Sequence, residues 1–211
     1  MDWRGELRVI AVEDMVLCPG GQATTLLFPQ DLPGLDALVA GPVLFVARRP
    51  GSAARRGRGS LYRVGTIAEL TMTRFPDGMI ELNAFGLARA AVESFRGRDP
   101  FMVATCRTLP EPSSLSDEEF AVTRELGVLL DRIALFGPGA LSILEAMPPT
   151  ERAWAAVDLV AGGLIEAVED RQRLLETNDR LERLVRARDF ARAFDAWSSR
   201  RTAGSPSGYL H

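Results

Sequence analysis

"LYRVGTIAELTMTRFPDGMIELNAFGLAR", Leu61 to Arg89, is the stretch whose reading decides the fold. Its first half alternates. Tyr62, Val64, Thr66, Ala68 and Leu70 share one face at a period of two, while Arg63, Gly65 and Glu69 lie on the other. Pro76-Asp77-Gly78 then turns the chain: proline presets φ, aspartate tolerates the next corner and glycine takes a positive φ. Beyond the turn Ile80, Leu82 and Ala84 alternate again, so the return is antiparallel.

Short strands extend on both sides of this hairpin. "LRVIAV" (Leu7 to Val12) is a short apolar run, and Pro19 with two glycines turns the chain after it. "ATTLLF" (Ala23 to Phe28) is β-branched and apolar. "DLPGLDALVAG" reads as a brief helix capped by Asp31 and ended by Gly41. "PVLFVA" (Pro42 to Ala47) is apolar without alternation, as a strand buried on both faces must be. "LARAAVESF" and "PFMVATCRTL" supply two more strands. The first half is therefore an all-β, pseudo-barrel module with one helix.

"PEPSS" (Pro110 to Ser114) breaks the pattern, and the second half is helical. Ser116 with Glu119 forms a capping box, and Val122, Leu126, Leu129, Ile133 and Phe136 follow at helical spacing. "FGPG" ends that helix, and "PPTERA" opens another with Thr150 as its cap. A last helical stretch from Asn178 to about Trp197 aligns Leu181, Leu184, Ala187, Phe190, Phe194 and Trp197. The fold class is α+β: a β module over 1–112, a helical bundle over 113–198 and a disordered tail over 199–211.

Composition narrows the chemistry. All 25 cations are arginine, and the one histidine is His211. A Schiff-base lysine, a phosphate-loop lysine and a Ser–Lys dyad are excluded, and triads lack a positioned base. Two cysteines, Cys18 and Cys106, cannot build a disulfide framework and read as reduced, buried thiols. They are too few for a zinc site without histidine. No apolar run reaches the length of a membrane span, and "MDWRGELRVI" has no signal-peptide core, so the expected location is cytoplasmic. Residues 1–112 carry 13 Arg against 12 acidic residues, and residues 113–211 carry 12 against 16. That is not the basic domain of a general nucleic-acid binder.

Several strings, taken in order, resemble the amino-terminal substrate-binding domain of the Lon protease family: "VLCPGG", "LYRVGTIAEL", "FPDGMIELNAFGLAR", "PFMVATCRTLPEP" and "DLVAGGLIEAVEDRQRLLETNDRLERL". They spread over most of residues 7–188. Cys18 stands where the family usually has phenylalanine, and "TTLLFPQDLPG" lacks an arginine usual there. The resemblance implies a PUA-like β module joined to a helical bundle. It is closest in kind to stand-alone members without the ATPase and protease, whose lysines this chain does not have. It implies a non-catalytic protein-recognition module without cofactor or metal. The partners implied are unfolded or degron-bearing proteins, and an adaptor role would add a separate ATP-dependent protease.

Three groups of residues are candidates for contact. Met72, Phe75, Met79 and Phe85 on the hairpin offer apolar surface to a protein client. Arg48, Arg49, Arg55, Arg56 and Arg58 form an arginine- and glycine-rich loop suited to an acidic partner, or in the alternative reading to nucleic acid. No interleaved aromatic supports base stacking there. Phe190, Phe194 and Trp197 are a candidate oligomer contact, as in a homodimer.

Overall fold

A computed structural model describes residues 3–27, 39–51, 58–98, 102–111, 113–133 and 137–203. Of the helix expected over 31–41 only residues 39–41 are described, and Arg55, Arg56 and Phe136 lie outside the described residues. The chain divides into two units: Met1–Glu111 with Glu166–Glu176, and Pro112–Ile165 with Thr177–His211. A short segment of the helical half is thus grouped with the strands, a discontinuity that a division in chain order does not anticipate.

The first unit contains strands β1 (Arg4–Val12), β2 (Gln22–Leu27), β3 (Val43–Ala47), β4 (Val64–Arg74), β5 (Ile80–Arg96) and β6 (Val103–Thr108). Their order is β2-β5-β4-β3-β1-β6, and β6 pairs again with β5. That second pairing closes β5, β4, β3, β1 and β6 into a ring. Only β1 and β3 run parallel among these pairs. The two strands read as "MIELNAFG" and "LARAAVESF" are one 17-residue strand, β5. Its length lets one edge stay on β4 while the other edge takes β2 along its first half and β6 along its second.

Alternation gives the ring two cores. Leu7, Val9, Leu44, Val46, Ile67, Ala90, Val92, Ala104 and Cys106 form one buried cluster. Leu17, Val43, Phe45, Ala68, Leu70, Ile80, Leu82 and Ala84 form the other. Neighbouring residues of β3 belong to opposite clusters, which is why "VLFVA" carries no polar residue. At about 1.5–3 kcal/mol per buried aliphatic side chain, both faces of β3 stabilise the unit.

The first unit also holds a short helix, named α4 in chain order below. Buried Gln172 in it donates to the Val64 carbonyl at 3.0 Å.

The second unit is helical. Helices α1 (Asp117–Arg132), α2 (Gly137–Ala146) and α3 (Pro149–Gly163) precede α4 (Val168–Glu176), and α5 (Arg180–Ala203) follows it. The capping box on α1 forms: the Glu119 N–H donates to Ser116 Oγ at 3.2 Å, and the Ser116 N–H donates to Glu119 Oε2 at 2.6 Å. Thr150 is not a cap. Pro148 holds that position and Pro149 opens α3, since proline's fixed φ suits the first helical residue and its missing N–H is not needed there. "FGPG" does more than end a helix: α1 ends at Arg132 with Ile133 as its C-cap, and Gly137 already belongs to α2. Residues 199–203, expected in the tail, belong to α5, which runs to Ala203, and the rest of that tail lies outside the described residues.

Leu126, Val157, Val160, Leu184, Ala187 and Ala191 are buried at the centre of this unit. Small residues at 187 and 191 let α5 approach closely. Arg183 is buried with them. Its Nη2 lies 2.9 Å from Asp158 Oδ1, and its guanidinium lies 5.3 Å from the Trp154 ring centroid. Glu119–Arg180 at 2.8 Å, Glu125–Arg188 at 3.6 Å and Arg132–Asp195 at 2.7 Å pair in ascending order, so α1 and α5 run parallel.

Candidate functional site

Where β5 changes partner from β6 to β2, the sheet runs out beyond the ring. Direct pairing there builds three rows of three: Gln22–Phe85–Glu69, Thr24–Asn83–Thr71 and Leu26–Glu81–Thr73. Paired residues share a face, so all nine side chains lie on one side. The opposite side carries Ala23, Ala84, Leu70, Leu82 and Met72, which pack on the second core. The same odd-numbered face of β4 lines the ring at Ile67 and emerges at Glu69, Thr71 and Thr73.

This outer face holds a depression of about 390 Å³ lined by Gln22, Glu69, Thr71, Asn83, Ala84 and Phe85. Phe85 is 43% exposed and Leu26 57% exposed. Asn83 is held in place: Thr24 Oγ1 donates to its Oδ1 at 2.6 Å, and its Nδ2 donates to Glu81 Oε1 at 2.9 Å. A rigid sheet thus presents an aromatic ring, an aliphatic side chain and a fixed amide to solvent. Large exposed apolar groups beside fixed polar ones are the usual chemistry of a contact surface.

The four hairpin residues do not form one patch. Met72 is half-buried on the core side, away from Phe85. Phe75 is 37% exposed and Met79 half-buried at the tip, where the Phe75 N–H donates to the Met79 carbonyl at 2.8 Å. Asp77 Oδ1 accepts the Met79 N–H at 3.1 Å and Gly78 has a φ of 86°, so the tip is a built turn. Leu26 is an addition from the structure. Its signal in the sequence is its place at period two from Gln22 and Thr24.

The arginine loop is partly structural. Arg48 is 7% exposed; its Nη1 donates to Ser60 Oγ at 3.0 Å and its Nε lies 3.9 Å from Glu13 Oε1. Arg49 sits 5.5 Å from the centroid of Tyr62. Arg58 donates through Nε and Nη2 to the Gly97 carbonyl at 3.1 and 2.9 Å. Burial, together with Glu176 and Glu169, raises the Tyr62 pKa above its ordinary value. In the second unit Phe190 and Phe194 are half-buried and Trp197 is 46% exposed. The Phe194 and Trp197 rings lie 5.4 Å apart, and Arg201 caps the indole at 4.8 Å. Cys18 and Cys106 are both buried and unbridged, and burial pushes the Cys106 thiol up to about 11. Among the described residues no group of three or more His, Cys, Asp or Glu is placed to hold a metal ion, and no helix is long and apolar enough to cross a membrane.

A family model described as the ATP-dependent protease La (LON) substrate-binding domain matches residues 6–192. The chain belongs to this family. It is 30% identical over 156 residues to the Lon protease of Desulfovibrio desulfuricans, covering 71% of this chain and 17% of that protein. It is 29% identical over 133 residues to the Lon protease of Rhizobium meliloti, covering 62% of this chain and 16% of that protein. The chain therefore spans about a sixth of the length of the curated relatives it matches. Among solved structures it is similar to the N-terminal domain of Mycobacterium avium complex Lon protease, with a TM-score of 0.65, 22% identity and coverage of 89% of this chain and 98% of that one. The Lon N-terminal domain protein from Xanthomonas campestris gives a TM-score of 0.56 at 19% identity, covering 91% and 98%. Both likenesses bear on the fold.

The strings that carry the Lon resemblance meet in space. The Gly20 N–H donates to the Gly86 carbonyl at 2.8 Å and the Gly86 N–H donates to the Gly21 carbonyl at 3.0 Å, tying "VLCPGG" to "AFGLAR". Thr66 Oγ1 donates to the Leu17 carbonyl at 2.5 Å. A Cβ at Gly65 would collide with the Phe45 carbonyl oxygen. Arg89 is buried, with Nε 3.0 Å from Glu111 Oε1 and Nη1 donating to the Leu175 carbonyl at 3.0 Å. These residues of the strings that resemble the Lon substrate-binding domain hold the β unit together, whereas Phe85 and Leu26 face outward.

Proposed function

We propose that this chain is a non-catalytic, cytoplasmic recognition module that captures exposed apolar segments of other proteins on the outer face of β2, β5 and β4. Phe85 and Leu26 are its principal apolar contacts, with Phe75 and Met79 at the hairpin tip extending the surface. The observation that carries this reading is the exposure of Phe85, 43%, inside a depression on a sheet whose reverse side is core. A mobile aromatic would lose entropy on binding, whereas one fixed on a strand loses little. Membership of the Lon substrate-binding family supports the same reading. Its non-catalytic character rests on a sequence without lysine and with histidine only at His211.

We further propose an adaptor role, in which bound clients pass to a separate ATP-dependent protease. The test is a pull-down with a permanently unfolded model protein (reduced and carbamidomethylated), its native form and a cell lysate. The reading expects retention of the unfolded form over the native one, and co-purification of a protease component if the chain is an adaptor. Equal retention of both forms at background level would overturn it.

A further inference from the structure

We propose that the segment captured on this face carries a basic residue beside an aromatic or bulky aliphatic one. The inference rests on the recognition reading above and adds the charge of the partner. Of the nine side chains in the three rows, two are carboxylates, Glu69 and Glu81, and none is cationic. This composition stands out in a chain with 25 arginines. Arg74, at the end of β4, belongs to the opposite face, in the row with Ile80.

Both carboxylates share the face of the aromatic. Glu69 is the direct cross-strand partner of Phe85, so their side chains stand about 5 Å apart at Cβ. Glu81 lies four residues along the same strand and on the same face, about 13 Å away at a strand's rise. Glu69 is exposed, and among the described residues no ion pair is made by it. Between the two acids Asn83 and Thr71, and across Phe85 Gln22, offer amide and hydroxyl groups to a peptide backbone. The volume, about 390 Å³, is that of a small ligand site and takes a bulky side chain with the start of its neighbours. An extended segment laid along the rows puts an apolar side chain against Phe85, with Leu26 two rows further on, and a flanking guanidinium or ammonium against Glu69 or Glu81. An acidic flank at the same place meets like charge.

The test is fluorescence anisotropy on the whole chain with labelled, unstructured peptides of one apolar centre flanked by Arg, by Gln or by Glu. At low salt the order of affinity is Arg over Gln over Glu, each step about two- to fivefold, the range of one exposed ion pair. Raising the salt compresses the series. Glu69→Gln and Glu81→Gln each shrink the Arg-to-Glu ratio, and the double variant removes it while its melting temperature stays with the parent. Equal affinity for the three peptides with binding still lost in Phe85→Ala would overturn the charge proposal and leave recognition standing. A basic preference that survives in the double variant would also overturn it. Failure of every peptide to bind, or binding indifferent to Phe85→Ala, would remove the recognition reading itself, and the charge proposal with it.

Discussion

Gly86 lies against the carbonyl of Cys18 so closely that a Cβ at Gly86 would collide with that oxygen. The contact sits where β5 exchanges one neighbour for another, and a register shift opposite Ile67 and Ala68 lies beside it. The chain segment at Cys18–Gly21 thereby fixes the point at which the sheet leaves the ring. Gly86→Ala is expected to destabilise the protein by about 1–3 kcal/mol, the usual cost of forcing extra atoms into a packed site. Gly41→Ala, with open space around it, should stay within about 0.5 kcal/mol. Urea denaturation of the two variants checks the contrast.

Arg89 joins β5 to α4 through its bond to the Leu175 carbonyl. Arg89→Met keeps much of the apolar stem but leaves that carbonyl without its donor. A loss of about 1–3 kcal/mol follows. Hydrogen exchange should show α4 amides losing protection before those of β3, and uniform loss would argue against a local role.

Arg48 and Arg49 are adjacent but differ in what they do. Arg48→Ala removes a buried donor from Ser60 and should cost about 1–3 kcal/mol of stability. Arg49→Ala removes an exposed cation over Tyr62 and should cost no more than about 0.5–1 kcal/mol. Thermal melts of both, with binding to an acidic peptide as a second readout, separate architecture from contact.

Cys106 gives a pH prediction. Its thiol is raised from 9.0 to about 11 by burial. In the unfolded chain it ionises first, so the unfolded state binds fewer protons above about pH 9 and is favoured there. The contribution is complete below about pH 9 and is lost as pH rises towards about 11. Cys106→Ala should flatten the fall in stability over that window. At pH 8 the native thiol should resist labelling by a water-soluble reagent and react at the unfolded rate only in denaturant.

Much of the β unit was legible from residue patterns. Alternation in "LYRVGTIAEL" and unbroken apolarity in "VLFVA" report directly on faces, because strand periodicity is strict. The continuity of β5 was hidden, since Gly86 between "NAF" and "LAR" looks like a break when its neighbour Cys18 is far away in sequence. Likewise α2 was hidden by Gly137-Pro138-Gly139, and Thr150 was displaced as cap by two prolines. Phe85 groups in the sequence with Met72, Phe75 and Met79 as apolar hairpin surface, a grouping that does not separate the outward face from the core face. Leu26 is not in that group, because "LLF" is an apolar run in which no alternation marks the outward residue. The anchoring of Arg48 depends on Ser60 folding back twelve residues later, and no local pattern encodes that return.

The central claim is that Phe85 on the outer face is the anchor for a protein client. Its most direct test is the equilibrium affinity of an unfolded model protein for the parent, for Phe85→Ala and for Met72→Ala. Phe85→Ala should weaken binding at least about tenfold, as truncation of an aromatic anchor usually does. Its folding stability should fall by no more than about 1 kcal/mol, since the ring is exposed on its strand. Met72→Ala should do the reverse, lowering stability more than affinity. Unchanged affinity in Phe85→Ala, with the fold intact, would contradict the account.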